Sequence, residues 1–134
     1  MEKNAGSAQA EAQLILIVDD EIPIAEVLAA FVMELGYNAL VAYNGQQALG
    51  LARKCWPALV ITDQMMPLMN GIDLIRALSH EANVNKTRPL PVVLISAGAL
   101  PNLMGVHVDA LLTKPFNLED LERVIRSLCG QTSS

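Results

Sequence analysis

Polar side chains follow four of the apolar stretches of this chain, each at the point where the stretch ends. They are Asp19 and Asp20 after residues 14–18, Asp63 after residues 59–62, Ser96 after residues 91–95, and Lys114 after residues 108–113. A charge at the end of a buried stretch is costly unless an opposite charge, a metal or hydrogen bonds compensate it. We therefore expect these side chains to share a ligand.

The three carboxylates predict a metal ion. Three negative charges in one pocket repel each other by several kcal/mol at intermediate dielectric, so either their pKa values rise or a cation neutralises them. A set of oxygen ligands without His or Cys favours Mg²⁺ over zinc-like metals. We predict Asp20, Asp63 and the backbone carbonyl of Met65 as direct ligands of Mg²⁺, with Asp19 acting through a bound water.

The same constellation fits phosphoryl transfer. A carboxylate such as Asp63 can attack phosphorus and carry the group as an acyl phosphate. The ammonium group of Lys114 and the hydroxyl of Ser96 would each bind a phosphoryl oxygen. The negative charge on the transferred group would then be covered by metal, ammonium and hydroxyl, as such reactions require.

The pattern of the chain predicts how these side chains are positioned. Apolar strands are expected at 14–18, 38–42, 59–62, 91–95 and 108–113, and amphipathic helices at 22–35, 46–55, 70–80 and 118–128. Gly98, Pro101 and Gly105 allow only a short or irregular fourth helix between the last two strands. This alternation predicts an α/β domain, a doubly wound five-stranded parallel sheet of order 2-1-3-4-5 with helices on both faces. Ligands of such sheets bind at the carboxyl ends of the strands.

Length and composition limit the alternatives. The 134 residues fit one domain, expected at 14–129 between a flexible tail at 1–13 and a C-terminal tail at 130–134. A net charge of −5 without a Lys/Arg cluster argues against nucleic-acid binding. The apolar runs are too short to span a membrane. Two isolated cysteines and an N-terminus unlike a signal peptide favour a cytoplasmic location.

Four stretches together resemble the motifs of response-regulator receiver domains from two-component signal transduction. They are Val18–Glu21, Asp63–Gly71, Ile95–Ala97 and Thr113–Phe116, in order at strand ends within residues 14–129. The resemblance implies a flavodoxin-like fold in which Asp63 takes a phosphoryl group from a phosphohistidine on a histidine kinase or phosphotransfer protein. It also implies slow self-dephosphorylation, a switch region including Ala97 and Pro115, and a cis peptide between Lys114 and Pro115.

The sequence departs from the family pattern on one face. Receivers usually carry Tyr or Phe three residues before the lysine, where this chain has Leu111. The spacing from Ser96 to Lys114 is also about four residues shorter than usual, roughly one helical turn. We hypothesise that the fourth helix and fifth strand therefore carry an altered or weakened phosphorylation signal.

The first helix predicts a docking surface. Its inward stripe is expected to contain Ile24, Leu28, Phe31 and Leu35, and its outward stripe Ile22, Ala29, Ala30 and Met33. An outward stripe of small and apolar residues indicates contact with another helix. In the family, kinase or phosphotransfer helices dock on this helix, and we predict Ile22, Ala29 and Met33 as docking residues.

Other functional classes remain open at this level. The protein is expected not to be an enzyme beyond its own phosphorylation and dephosphorylation. An enzyme that turns over a small phosphorylated substrate through an aspartyl-phosphate would need a substrate pocket or cap, for which this length leaves no room. A receiver-like interaction module regulated by partner binding, or the receiver of a hybrid histidine kinase, would share much of the same sequence. Its targets could be a second copy in a homodimer or a separate downstream protein; no nucleic acid or membrane is expected as a partner.

Overall fold

The computed structural model describes residues 12–98 and 102–130. The strands are β1 Leu14–Val18, β2 Asn38–Ala42, β3 Leu59–Asp63, β4 Val92–Ala97 and β5 Ala110–Lys114. The helices are α1 Ile22–Glu34, α2 Gly45–Lys54, α3 Gly71–Asn85 and α4 Leu118–Cys129. The predicted tails fall almost entirely outside the described residues.

All five strands are parallel and lie in the order β2-β1-β3-β4-β5. This confirms the predicted doubly wound sheet. The register pairs Asp63 with Ile95 and Ala97 with Lys114. Because the strands are parallel and in this register, their polar carboxyl ends meet along one edge.

The core lies on both faces of the sheet, as the strand pattern predicts. Alternate residues of a strand point to opposite faces. Ile15, Ile17 and Ile61 pack with residues of α1 and α4 on one face. Leu16 and Val60 pack with residues of α2 and α3 on the other. The strand interiors are therefore mostly apolar because helices cover both of their faces.

The β4–β5 connection contains no helix within its described residues 102–109. It turns at Met104 and Gly105, both at positive φ. The half-buried Leu103, Val106 and Val108 pack onto the small apolar cluster under α3 instead. The prediction of an irregular segment holds for 102–107, whereas residues 99–101 lie outside the described part of the chain. The last strand begins at Ala110 rather than at the predicted Val108.

Helix α3 is longer than predicted. The polar residues after His80 indicated a connection, but the helix continues to Asn85. The reason is that Ala82, buried one turn after Leu78, extends the apolar stripe of the helix. The helix ends at Lys86, which adopts the left-handed conformation with φ 56°.

Helix α1 is rotated relative to our prediction. Its buried stripe consists of Ala25, Leu28, Ala29 and Val32, so the outward placement of Ala29 is wrong. Ile24, predicted to face inward, is exposed. The two alanines let the helix lie close to the sheet. Leu28 is buried as predicted, and Phe31 and Leu35 are half-buried against the same core. Ile22 and Met33 are exposed as predicted. Val27, which was not assigned to the outward stripe, is exposed too.

None of the helices in the described ranges is both long enough and apolar enough to cross a bilayer.

Candidate functional site

Three carboxylates meet at the carboxyl ends of β1 and β3. Asp63 is the last residue of β3, and Asp19 and Asp20 directly follow β1, its neighbour in the sheet. Each offers a carboxylate oxygen within 4.8 Å of the other two. Asp19 and Asp63 are buried, at 2% and 6% exposure, whereas Asp20 is open to solvent. The sequence prediction that these residues share one pocket is therefore met.

Lys114 supplies the opposite charge. It ends β5, and its Nζ lies 3.0 Å from Oδ1 of Asp63. Desolvation lowers the pKa of Lys114, but its hydrogen bond to Asp63 and the charges of Asp63, Asp19 and Glu21 outweigh this effect, so the pKa is raised. The side chain therefore stays an ammonium ion, which the pairing requires.

Asp19 is the most deeply buried of the three carboxylates. Burial raises its pKa most strongly, and the charges of Asp63 and Asp20 add to this. The backbone N–H of Glu21, which donates to Asp19 Oδ1 at 2.9 Å, and the charge of Lys114 act in the opposite direction. The net effect is a raised pKa, so the negative charge of Asp19 is poorly compensated in the protein alone.

The remaining predicted residues lie at the same edge of the sheet. Ser96, near the end of β4, is buried, and Ala97 next to it is exposed. The peptide between Lys114 and Pro115 is cis, as the resemblance implies. The side chain of Met65 is 70% exposed.

Leu111 is half-buried on β5, opposite Leu94 of β4. It packs on the small apolar cluster that also receives Leu103, Val106 and Val108. Ser96 lies two residues after Leu94 and therefore belongs to the same face of the sheet as Leu111.

Gln64 positions the loop after Asp63, a role that the sequence alone did not reveal. Its backbone N–H donates to Ile95 O at 2.8 Å, and its carbonyl accepts from Gly71 N at 3.0 Å. Its side-chain Oε1 accepts from the N–H of Ile72 at 2.9 Å. These bonds attach the residue next to Asp63 to both β4 and the start of α3. The last contact depends on a side chain acting across eight positions, which no local pattern indicates.

Gly71 lets α3 begin against the end of β3. A Cβ at this position would lie 2.6 Å from the backbone oxygen of Asp63 and 2.8 Å from Cδ1 of Leu94. Asn70 and Asp73 then cap the helix reciprocally, with Asp73 N donating to Asn70 Oδ1 at 2.8 Å. The loop from Asp63 to α3 is thus held closely at both ends.

The donor set suits a hard divalent cation. The cluster consists of carboxylate oxygens, two of them poorly solvated, and its charge exceeds what Lys114 alone can neutralise. Mg²⁺ takes oxygen ligands and commonly binds through one or two carboxylates plus phosphate. The residues present therefore fit Mg²⁺.

Comparison with protein families matches residues 15–126 to the response regulator receiver domain. The chain belongs to this family.

Curated relatives of this receiver domain are longer proteins. It is 35% identical over 122 residues to the phosphate regulon transcriptional regulatory protein PhoB of Pseudomonas aeruginosa, covering 88% of this chain and 52% of that protein. It is 34% identical over 118 residues to the probable transcriptional regulator ycf27 of Porphyra purpurea, covering 85% of this chain and 46% of that protein. The chain spans about half the length of the curated relatives it matches.

Solved receiver structures share the fold. The chemotaxis protein CheY4 of Vibrio cholerae superposes with a TM-score of 0.77 at 28% identity, covering 89% of this chain and 99% of that one. The receiver domain of a sensor histidine kinase from Pseudomonas aeruginosa gives a TM-score of 0.78 at 25% identity, covering 89% and 98%. That structure has a magnesium ion coordinated in its active-site cleft.

The poorly compensated charge of Asp19 predicts a pH-dependent stability. Because its pKa is raised on folding, the folded receiver binds more protons here than the unfolded chain between the unfolded pKa, about 3.9, and the raised folded pKa. The stability contribution of Asp19 therefore falls as pH rises through this window. We expect Asp19→Asn to raise the free energy of unfolding at pH 7 in EDTA by about 1 kcal/mol or more.

Urea unfolding at pH 4, 5.5 and 7 measures this effect, with the exposed Asp20→Asn as the matched control. The gain for Asp19→Asn should be largest at pH 7 and exceed that of Asp20→Asn. A variant less stable than wild type at pH 7 would contradict this account of Asp19.

The close approach at Gly71 predicts a packing penalty. Gly71→Ala should lower the free energy of unfolding by roughly 1–3 kcal/mol, because the new methyl group must displace backbone and Leu94. Gly50→Ala on α2 is the control: its Cβ meets open space, and the change should stabilise by up to about 1 kcal/mol. Denaturant titration of both variants tests the contrast, and equal effects would remove the role given to Gly71.

Proposed function

We propose that this receiver domain takes a phosphoryl group from a phosphohistidine onto Asp63 in a Mg²⁺-dependent reaction, and that it then signals through protein–protein contacts. The donor would be a histidine kinase or a histidine phosphotransfer protein. The observation that carries the proposal is the cluster of three carboxylates, with Lys114 ion-paired to one of them. The carboxylates are those of Asp19, Asp20 and Asp63, and Lys114 pairs with Asp63. It lies where doubly wound sheets bind their ligands.

The residues that would hold the ion are Asp20, Asp63 and the Met65 carbonyl, with Asp19 acting through a water. Bound Mg²⁺ would neutralise the carboxylates and the charge that develops on the phosphoryl oxygens. The magnesium-containing cleft of the related kinase receiver supports this assignment.

Asp63 is the nucleophile in this mechanism. A carboxylate oxygen of Asp63 forms a bond to phosphorus while the bond from phosphorus to the donor's imidazole nitrogen breaks, and its electron pair returns to the ring. The product is an acyl phosphate. The anchored loop from Gln64 to Gly71 keeps the carboxylate in place, and such positioning is the protein's main means of catalysing this reaction.

Lys114 would change partners during the reaction. Before transfer its ammonium group pairs with Oδ1 of Asp63. Once Asp63 is phosphorylated, its Oδ1 no longer carries a full negative charge. The nearest new anion is then the phosphoryl group itself. Lys114 would then pair with a phosphoryl oxygen, and the Ser96 hydroxyl would donate to another. Water attacking phosphorus would later release inorganic phosphate and restore Asp63.

We also propose that the protein is located in the cytoplasm. Cys55 and Cys129 are free thiols, which fits a reducing compartment. A receiver from a hybrid histidine kinase is the second candidate, because the receiver domain of a sensor histidine kinase is among the similar structures. Both candidates use the same site.

Intact-mass analysis with acetyl phosphate and Mg²⁺ tests the acceptor. Wild type should gain the mass of one phosphoryl group, and the gain should disappear in EDTA. Asp63→Asn should gain nothing, whereas Asp120→Asn on α4, a control for loss of a distant carboxylate, should be labelled like wild type. Labelling that persists in Asp63→Asn would overturn the site. A wild type that binds no Mg²⁺ and takes no label would favour the partner-regulated module.

Docking of the donor helix on α1 gives a second prediction. Ile22 and Met33 are 52% and 54% exposed. Met33→Lys should slow phosphotransfer from the donor protein at least tenfold by placing a hydrated charge in an apolar contact. Labelling by acetyl phosphate, which needs no docking, should not change.

Val27→Lys is the matched control, because Val27 is 57% exposed on the same helix but about 120° around it. It should leave both reactions unaffected. Equal slowing of transfer from the protein and from acetyl phosphate by Met33→Lys would reject this docking surface.

Leu111 gives a third prediction. Its side chain packs with a β4–β5 connection that has no helix in its described residues. Since Leu has no aromatic ring to rotate inward, we expect the phosphorylation signal to fade before it reaches this segment. Amide shifts with Mg²⁺ and beryllofluoride should be large around Asp63 and smaller across residues 97–112. Shifts of equal size in both regions would contradict this expectation.

A further inference from the structure

Two of the N-terminal hydrogen bonds of α3 are accepted by Gln64, the residue that follows Asp63. The first four backbone N–H groups of an α-helix have no partner within the helix. In α3 the first of them, on Gly71, donates to the carbonyl of Gln64 at 3.0 Å, and the second, on Ile72, donates to Oε1 of Gln64 at 2.9 Å. The next two donate to Asn70. Half of the capping of this helix therefore comes from the residue beside the phosphoryl acceptor.

The other described helices are capped differently. Helices α1 and α4 have no side-chain cap, and α2 is capped by Asn44, the residue directly before it. Gln64 instead lies eight positions before Ile72, on the far side of a loop. Its side chain therefore connects α3 to the end of β3.

Gln64 cannot move independently of Asp63, because the two residues share a peptide unit that is held on both sides. The N–H of this unit, on Gln64, donates to Ile95 O at 2.8 Å. Its carbonyl oxygen, on Asp63, faces Gly71 so closely that a Cβ there would lie 2.6 Å away. Closely packed elements of this kind shift as units rather than deform continuously. A displacement of Asp63 therefore also displaces the start of α3.

Helix α2 begins against the same loop. A Cβ at Gly45, its first residue, would lie 2.7 Å from Cγ and Sδ of Met69. Helices α2 and α3 share one apolar core on this face of the sheet, and Arg53 of α2 is 2.7 Å from Glu81 of α3. Both helices of this face therefore start from the loop that Asp63 and Gln64 begin.

We propose that Gln64 transmits phosphorylation of Asp63 to α3, and through α3 to α2, so that the outer surface of these two helices changes when the acceptor is occupied. The inference rests on the proposed phosphoryl transfer and names the route by which its signal leaves the site. Phosphorylation removes the partner of Lys114 and adds a phosphoryl group at Asp63. Gln64 moves with Asp63, and its bond to Ile72 carries the displacement into the helix. This route needs no aromatic side chain at position 111.

Amide chemical shifts at saturating Mg²⁺ and beryllofluoride test this route. In wild type, residues 78–85 should shift, although they begin about 10 Å along α3 from Gly71 and cannot touch a ligand at Asp63. Gln64→Leu, which removes the acceptor oxygen, and Gln64→Asn, which is one methylene shorter, should each reduce these distal shifts at least threefold. Gln64→Glu keeps an acceptor oxygen at the same reach and should retain them.

Asn70→Ala is the matched control, because it removes the other side-chain cap of the same helix end but leaves Gln64 bonded to α3. It should also retain the distal shifts. Distal shifts that persist in Gln64→Leu and Gln64→Asn would overturn the proposal. So would an equal loss in Asn70→Ala, because loss of any cap would then suffice.

The wild-type spectrum separates this proposal from the proposed function. Shifts around Asp63 without shifts in residues 78–85 would overturn the route through Gln64 and leave phosphoryl transfer intact. A wild type without shifts around Asp63 would contradict the proposed function, and the route would fail with it.

Discussion

The mutual repulsion of three carboxylates is the constraint on which the functional edge of this domain depends. Parallel strands buried on both faces deliver Asp19, Asp20 and Asp63 to one place, and burial prevents water from fully screening two of them. At an effective dielectric of about 20, two unit charges at 4 Å interact by about 4 kcal/mol. The fold therefore holds a concentration of negative charge that a cation must relieve. Lys114 relieves part of it from the neighbouring side.

The loop after Asp63 keeps that charge in position. Gln64 bonds to β4 through its backbone and to α3 through its side chain, and Gly71 allows the helix to start against the strand end. Neither residue needs to touch a ligand. Their effect is to limit how far Asp63 can retreat from its neighbours, so that the carboxylates remain close despite their repulsion.

The sequence predicted the parts of this structure that depend on strong local patterns. Apolar runs located the strands, and the polar residues ending them located the site, because parallel strands end at a common edge. The positions of Ile24 and Ala29 on α1 were not predictable in this way. The burial of this helix was decided by how closely Ala25 and Ala29 let it approach the sheet, which side-chain size alone does not reveal. The end of α3 depended on one buried methyl group, that of Ala82, amid polar residues.

The ion pair between Lys114 and Asp63 also makes the folded state less dependent on bound metal. A site of this kind without an internal cation would rely on bound metal to hold its carboxylates together, and the domain would loosen whenever the metal was scarce. Here the ammonium group of Lys114 serves as an internal counter-ion for the buried Asp63. The fold can therefore hold these carboxylates together when divalent cations are scarce.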